Sequence, residues 1–490
     1  MIILNLNHSS KIPLYQQIVD HFIYMIDNNI LKTGDNLPST RSLAKQHDLN
    51  RNTIYKAYEE LWALGYIEST PGSYSKVRKR IITLSKDPVR TDHNLNWDSK
   101  ITKGASILRT QFKKKESKTH AFKPIDFRPL SPDPHIIPND EFRKCLNEVL
   151  LSKGHELLYY GDPEGFRPLR EFLETHMRLH SIHVDFSEII ITNGAQNALE
   201  LIVKLLIDPG DVIVIEKPTY SEAIPIFKYH QAKIIEIPIT DEGLDLEKLE
   251  LVLESYNPKF LYTMPNFQNP TGTTTSQKHR EKLLEICEKF ELPIIEDGFV
   301  EEMKYFVKNI LPIKSMDKAG LVFYIGTFSK VLFPGIRLGW IASNLYCSQR
   351  ITELKMASEI SMNTMVQAGI ELFCRKGYYE KQIRRIHSVY KKRMGLSLKI
   401  LRDGLNNKNF EYTKPIGGYT IWFETNANYI SESELLEKLN HDGVLVTGGE
   451  QSFYTKNNKT CFRISIAHRN ETEIDTGIKR ILQTLNSLKR

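Results

Sequence analysis

Apolar residues near the start of the chain recur at Tyr15, Ile18, Val19, Phe22, Ile23 and Ile26, a spacing that puts them on one face of a helix over Leu14 to Ile26. After the turn Lys32-Thr-Gly-Asp-Asn, Ser39 offers an N-cap for a short second helix reaching about His47. A third helix begins near Asn50. Its Ile54, Ala57, Tyr58 and Leu61 fall at i, i+3, i+4 and i+7, which turns Arg51, Asn52, Tyr55 and Lys56 outward, and Gly65 stops it. Tyr66 to Val77 reads as a hairpin wing. From about Ile125 the rhythm changes: short apolar runs (EIIITNG, DVIVIE, KFLYTM, LPIIED, LVFYIG, RLGWIA) alternate with helical stretches. Such alternation predicts a largely parallel α/β sheet with its site at the carboxyl ends of the strands. The expected organisation is a winged helix-turn-helix over 1–78, a linker over 79–123 and a large α/β domain over 124–490.

Composition narrows the class. A chain of 490 residues exceeds one ordinary core, and 41% hydrophobic with 26% charged residues describes a globular protein. No apolar run approaches the roughly 18 residues that span a bilayer, and MIILNLNHSSK lacks a signal peptide's features, so a cytoplasmic protein without a membrane partner is expected. Cys145, Cys287, Cys347, Cys374 and Cys461 are scattered and form no C-x-x-C pair, which points to reduced, buried thiols rather than disulfides or a zinc site; no metal is expected. The net charge of +7 sits mostly in one place, since residues 79–123 carry twelve Lys/Arg against four Asp/Glu. That segment, with its Lys113 to Lys115 cluster, is a solvated tether or a non-specific attractor of the DNA backbone.

Three short helices, a tight turn and a wing suit a DNA reader, because the third helix can enter the major groove with its first residues against base edges. The residues resemble the GntR family over about 12–77: Pro13-Leu14-Tyr15, Gly34-x-x-Leu37-Pro38-Ser39-x-Arg41-x-Leu43-Ala44, Asn50-Arg51-x-Thr53, Ala57-Tyr58 and Leu64-Gly65. The resemblance implies DNA contacts from Arg41 and Arg51, supported by Ser39, Thr40, Asn52 and Thr53. A helical protein-binding module with surface arginines is the alternative. One departure is Tyr74 after Gly72-Ser73, where the family usually has a second glycine at the wing tip.

In the large domain, Asn193-Gly194-Ala195-Gln196 follows a strand and opens a helix, a geometry suited to a phosphate. Gly326-Thr-Phe-Ser-Lys330, followed by Pro334-Gly-Ile-Arg337, ends an apolar strand with a lysine, two hydroxyls and an arginine. Pyridoxal phosphate uses such a set: its aldehyde needs an amine, its phosphate needs hydroxyls and an arginine, and its ring nitrogen needs an acid, which Asp297 offers. From about 125 to 490 the chain resembles fold-type I aminotransferases, and their fusion to a GntR module is the MocR architecture. The resemblance implies Lys330 as the Schiff-base lysine and Asp297 as partner of the ring nitrogen, the two catalytic positions. It implies Asn269 as donor to the ring oxygen and Tyr220 as the stacking aromatic. Gly194, Ala195, Gln196, Thr327, Ser329 and Arg337 would hold the phosphate, with Tyr160 reaching in from the other subunit of a head-to-tail homodimer. Arg463 would grip the α-carboxylate of an amino compound. Singly, Asp297 also fits a helix cap, Tyr220 a core residue and Arg463 a surface ion pair.

Two departures touch the chemistry. Phe299 stands where the MocR pattern places a tyrosine, and Leu130 stands for a glycine in Phe127-Arg-Pro-Leu130-Ser-Pro132-Asp133. The expected function is a regulator of transcription whose pyridoxal-phosphate domain senses an amino compound, or the cofactor, and repositions the module on double-stranded DNA. A working aminotransferase with a DNA-binding module and a DNA-binding scaffold with an empty pocket remain the alternatives.

Overall fold

The computed structural model describes residues 2–69, 74–78, 96–108, 124–306, 310–426 and 428–488. Its contacts divide the chain into two units, Met1–Asn96 and Trp97–Arg490. In the first, α1 (Leu14–Asp27), α2 (Thr40–Gln46) and α3 (Arg51–Ala63) precede an antiparallel hairpin of β1 (Ile67–Glu68) and β2 (Lys76–Val77). The apolar faces read from the sequence meet here: Ile18, Val19 and Phe22 pack with Leu43, Ile54, Ala57 and Leu61. Phe22 meets Tyr58 edge to face at 5.7 Å, and the Tyr58 hydroxyl donates to the Pro38 carbonyl at 2.9 Å, tying α3 to the entry of α2. Ser39 Oγ accepts from Ser42 N (3.1 Å) and Asn50 Oδ1 from Asn52 N (2.8 Å), so both helices begin where their caps predict. The wing's strands are present; its tip at Gly72 and Ser73 lies outside the described residues.

The second unit opens with α4 (Lys103–Leu108) and β3 (Ile125–Asp126). Its helices include α5 (Asn139–Lys153), α6 (Arg167–Arg178), α7 (Ala195–Leu206) and α8 (Ala223–Tyr229). The main sheet comprises β4 (Ile189–Thr192), β5 (Val212–Lys217), β6 (Lys233–Thr240), β7 (Gly243–Leu244), β8 (Leu261–Thr263), β9 (Ile294–Asp297), β10 (Val322–Thr327) and β11 (Gly339–Ala342). Their spatial order is β4-β11-β10-β9-β8-β5-β6-β7. The neighbours β10, β9, β8, β5 and β6 run parallel; β11 is antiparallel to both β4 and β10, and β7 folds back on β6. Strands β4, β9, β10 and β11 are buried along their whole length, which explains their unbroken apolar runs. A smaller antiparallel sheet follows, built from β12 (Glu411–Tyr412), β13 (Thr420–Asn426) and two strands after β14 (Val444–Leu445), namely β15 (Thr447–Gly448) and β16 (Lys459–Ser465). β14 pairs in parallel with β3, so the start of the unit is stitched to its C-terminal part.

Residues Trp97 to Leu108 belong to the large unit, and α4 lies against α8 so tightly that a Cβ added to Gly104 would sit 2.2 Å from the Tyr229 carbonyl oxygen. The Lys113 to Lys115 cluster lies outside the described residues. All five cysteines are free; Cys145, Cys287, Cys374 and Cys461 are buried and Cys347 is half-buried. Among the described residues, no helix is long and apolar enough to cross a membrane.

Candidate functional site

The carboxyl ends of the parallel strands meet at a cavity of about 130 Å³ whose lining includes Tyr220, Asn269, Asp297, Lys330 and Arg337. Lys330 stands three residues beyond β10, and its Nζ donates to the Leu130 carbonyl at 3.4 Å. Burial lowers its pKa to about 8, aided by the positive charges of Arg463 and Arg337 and opposed by Asp297. A neutral amine is therefore within reach near neutral pH, as attack on an aldehyde requires. Asp297 closes β9 and caps no helix. Burial raises its carboxyl to about 6, against the Tyr262 hydroxyl on Oδ2 (2.8 Å) and the Phe299 N–H on Oδ1 (3.1 Å), which favour the ionised form.

At the other end, β4 runs out through Asn193 into Gly194, whose φ of +84° starts α7 and presents the amides of Ala195 and Gln196. Any side chain at Gly194 would collide with Arg337, because a Cβ there would lie 2.9 Å from Nη2. That Nη2 donates to the Asn193 carbonyl at 2.7 Å, fixing the guanidinium beside the helix start. Thr327 Oγ1 donates to the Leu338 carbonyl and accepts from Ser329 N, both at 3.1 Å, which sets the exit of β10. The lining thus pairs a helix N-terminus, hydroxyls and a cation at one end with a buried acid at the other and a lysine beside them.

Arg463 lies on β16, buried rather than in a surface ion pair. Nη1 donates to Asn269 Oδ1 (2.9 Å), and Nη2 donates to Thr447 Oγ1 and the Arg128 carbonyl (both 3.0 Å). Burial lowers its pKa to about 10, so it stays cationic at neutral pH in a fixed orientation. Tyr220 lines the cavity and packs on the main core, and burial holds its hydroxyl above its ordinary range. Tyr160 is 82% exposed and is absent from this cavity's lining. Sequence reasoning missed Tyr262, Thr447 and the two carbonyls of Leu130 and Arg128. The Tyr262 signal was its place near the end of KFLYTM, where an aromatic looks like core; carbonyl partners have no sequence signal.

Pyridoxal phosphate, when bound, supplies an aldehyde that condenses with an amine and a ring that draws electrons from the bonds of the attached amino compound. The residues present fit it. The cavity unites an amine, an acid and an anion cradle, and one buried polar atom of a lining residue, Gln196 Oε1, has no hydrogen-bond partner. In the first unit Arg41, Arg51 and Asn52 are exposed around the starts of α2 and α3, with Ser39 exposed and Thr40 and Thr53 partly covered. Tyr55 and Lys56 also face outward, Lys56 lying 4.0 Å from the centre of the Tyr15 ring.

Comparison with known proteins places each unit in a family. Residues 133–481 match the family described as aminotransferase class I and II, and residues 14–77 match the bacterial regulatory proteins of the gntR family. Aromatic-amino-acid aminotransferase 1 of Thermococcus litoralis is 36% identical over 360 residues, 72% of this chain and 86% of the relative. The Bacillus subtilis protein named uncharacterized HTH-type transcriptional regulator YdfD is 31% identical over 472 residues, 96% of this chain and 95% of its own. Among solved structures, the multiple substrate aminotransferase of Thermococcus profundus covers 80% of this chain and 99% of itself with a TM-score of 0.73 at 31% identity. LysN, the alpha-aminoadipate aminotransferase of Thermus thermophilus solved with N-(5'-phosphopyridoxyl)-L-leucine, gives the same coverage and TM-score at 27% identity. The chain therefore belongs to the class I and II aminotransferase family, takes pyridoxal phosphate as its cofactor, and carries at its N-terminus a gntR-family DNA-binding module in the MocR arrangement.

Proposed function

We propose that the chain is a cytoplasmic regulator of transcription whose cofactor domain captures an amino compound and thereby changes the grip of the helix-turn-helix on double-stranded DNA. The observation that carries this reading is the likeness to a relative named a transcriptional regulator that spans 96% of the chain and so includes both units. In this reading Lys330 holds the cofactor and Asp297 faces the ring nitrogen, keeping it protonated through its carboxylate. Asn269 donates to the ring oxygen and Tyr220 stacks on the ring. Gly194, Ala195, Gln196, Thr327, Ser329 and Arg337 surround the phosphate, and Arg463, oriented by Thr447 and Asn269, receives the α-carboxylate of the amino compound. The intact set, and the 36% identical relative named an aminotransferase, keep turnover as the second reading.

Phe299 separates the two. It lines the cavity with Asn269 but has no hydroxyl to offer the ring oxygen, leaving Asn269 as the matched side-chain donor. A hydrogen bond to a charged group contributes roughly 1.5–3 kcal/mol, which is about tenfold or more in a rate. Phe299→Tyr is therefore expected to raise keto-acid formation about tenfold, while the wild-type protein shifts its visible spectrum on adding the amino compound and forms little product. Multiple turnover by the wild type at an ordinary aminotransferase rate would favour the enzyme reading.

Tyr160 is exposed, as are Leu150, Leu151, Leu158 and Tyr159 close to it in the sequence, apolar surface suited to burial against a second copy. We infer a head-to-tail homodimer in which Tyr160 completes the phosphate site of the neighbour, an arrangement that also presents two DNA modules to paired half-sites. Sedimentation of the cofactor-loaded protein at micromolar concentration should show a dimer, and Tyr160→Phe should weaken cofactor retention by about 5- to 10-fold. A cofactor-loaded monomer contradicts the arrangement.

A further inference from the structure

Away from the cofactor cavity, two histidines stand one helical turn apart, His176 in the last turn of α6 and His180 just beyond its end. His176 Nε2 lies 2.7 Å and His180 Nε2 lies 2.9 Å from the same atom, Oε1 of Glu302. One ring nitrogen from each histidine and one carboxylate oxygen all fall within 4.8 Å of one another. The two rings meet edge to face with their centres 5.3 Å apart, so that a nitrogen of each turns to the same point, as two histidines four residues apart do when they share an ion. The third donor arrives from the loop after β9.

Lys304 is engaged by Glu301 and by the Ile310 carbonyl (2.8 Å to the latter), while Glu302 Oε1 is hydrogen-bonded to both imidazoles. His387 donates to the Glu302 backbone carbonyl and so fixes the residue's position. Glu301 Oε1 lies 3.6 Å from His180 Nδ1, where an outer carboxylate orients a ligating imidazole. The His176 side chain is 3% exposed, Glu302 15% and His180 19%, so the cluster is closed on its inner side and reaches water past His180. A solvent molecule can take a fourth position there. Two imidazole nitrogens, one carboxylate oxygen and an open position form the donor set of a borderline divalent ion, with no thiolate or thioether among the three donors to favour a softer one.

We propose that His176, His180 and Glu302 form a binding site for a divalent first-row transition ion of the zinc class. The ion ties the end of α6 to the segment that leaves β9 immediately after Asp297 and Phe299. The cysteine pattern pointed away from zinc, and the His-x-x-x-His spacing acquires meaning only once the fold brings Glu302 to it.

The test uses the untagged full chain, loaded with pyridoxal phosphate and stripped of metal by a chelator. Zinc is titrated against a chromophoric competitor, and cobalt(II) is added in a parallel experiment. The expected results are stoichiometric zinc binding, visible cobalt bands of a low-coordinate nitrogen and oxygen site, and a higher melting temperature with zinc. His180→Gln, at the rim, and Glu302→Gln, nearly isosteric, should each weaken zinc by more than the about 10- to 100-fold that losing an outer partner costs. Both should keep the cofactor's visible band; if Glu302→Gln fails to fold, His180→Gln decides alone. Zinc that finds no stoichiometric site, or binds the folded variant as tightly as the wild type, overturns the proposal and leaves a buried hydrogen-bonded acid.

Discussion

Lys330→Ala should abolish covalent attachment of the cofactor: no visible band of lysine-bound pyridoxal phosphate and no peptide fixed by borohydride. The expectation rests on position before acidity. Lys330 is the lysine among the residues lining the cavity, which also include Asp297, Thr327, Ser329 and Arg337. Lys355 makes the contrast. Burial also lowers its pKa to about 8, yet its amine donates to the Ile191 carbonyl at 2.6 Å and it is not part of that lining. A depressed pKa alone would name both lysines, whereas geometry separates them. The variant should stay folded, because the one hydrogen bond lost is a long one to the Leu130 carbonyl. Retention of the same reducible adduct by Lys330→Ala would move the assignment to another lysine.

Arg41→Ala and Arg51→Ala should each weaken DNA binding while leaving the cofactor spectrum intact. Arg51 is the first residue of α3 and Arg41 the second of α2, so both stand where a helix start meets a phosphate or a guanine edge. Both are exposed, and neither has an ion-pair partner among the described residues. Loss of a guanine or phosphate contact costs about 1–3 kcal/mol, or roughly 5- to 150-fold in affinity at matched salt. An arginine that reads a base relaxes specificity at that position. One that holds a phosphate weakens all sequences alike and lowers the salt dependence by about one unit. Exposed substitutions of this kind change stability by about 0.5 kcal/mol or less, so a melting curve separates lost recognition from lost folding. Unchanged affinity in both variants would remove the two arginines from the interface.

The small unit was legible because its information is local. The faces Ile18/Val19/Phe22 and Ile54/Ala57/Tyr58/Leu61, the caps Ser39 and Asn50 and the stop at Gly65 all act within a few residues, and the helices end within one residue of expectation. The strands of the large unit were legible for the same reason. What escaped was set by packing between distant segments. The Arg463 bond to Asn269 joins residues 194 apart, and the Lys330 contact with Leu130 joins residues 200 apart. Tyr262 becomes a partner of Asp297 only because β8 pairs with β9 in one register. Helix α4 was hidden in a basic stretch, since its place depends on the tight approach of Gly104 to Tyr229.

The central claim, that capture of an amino compound at the Lys330 site changes DNA binding, is tested most directly by one measurement. Affinity of the cofactor-loaded full chain for a DNA fragment selected by that same protein is followed by fluorescence anisotropy, with and without the amino compound that shifts its spectrum. Coupling between two sites typically amounts to 1–3 kcal/mol, so affinity should change by about 5- to 150-fold in the wild type and not at all in Lys330→Ala. Equal affinity with and without a compound that visibly occupies the site would contradict the account.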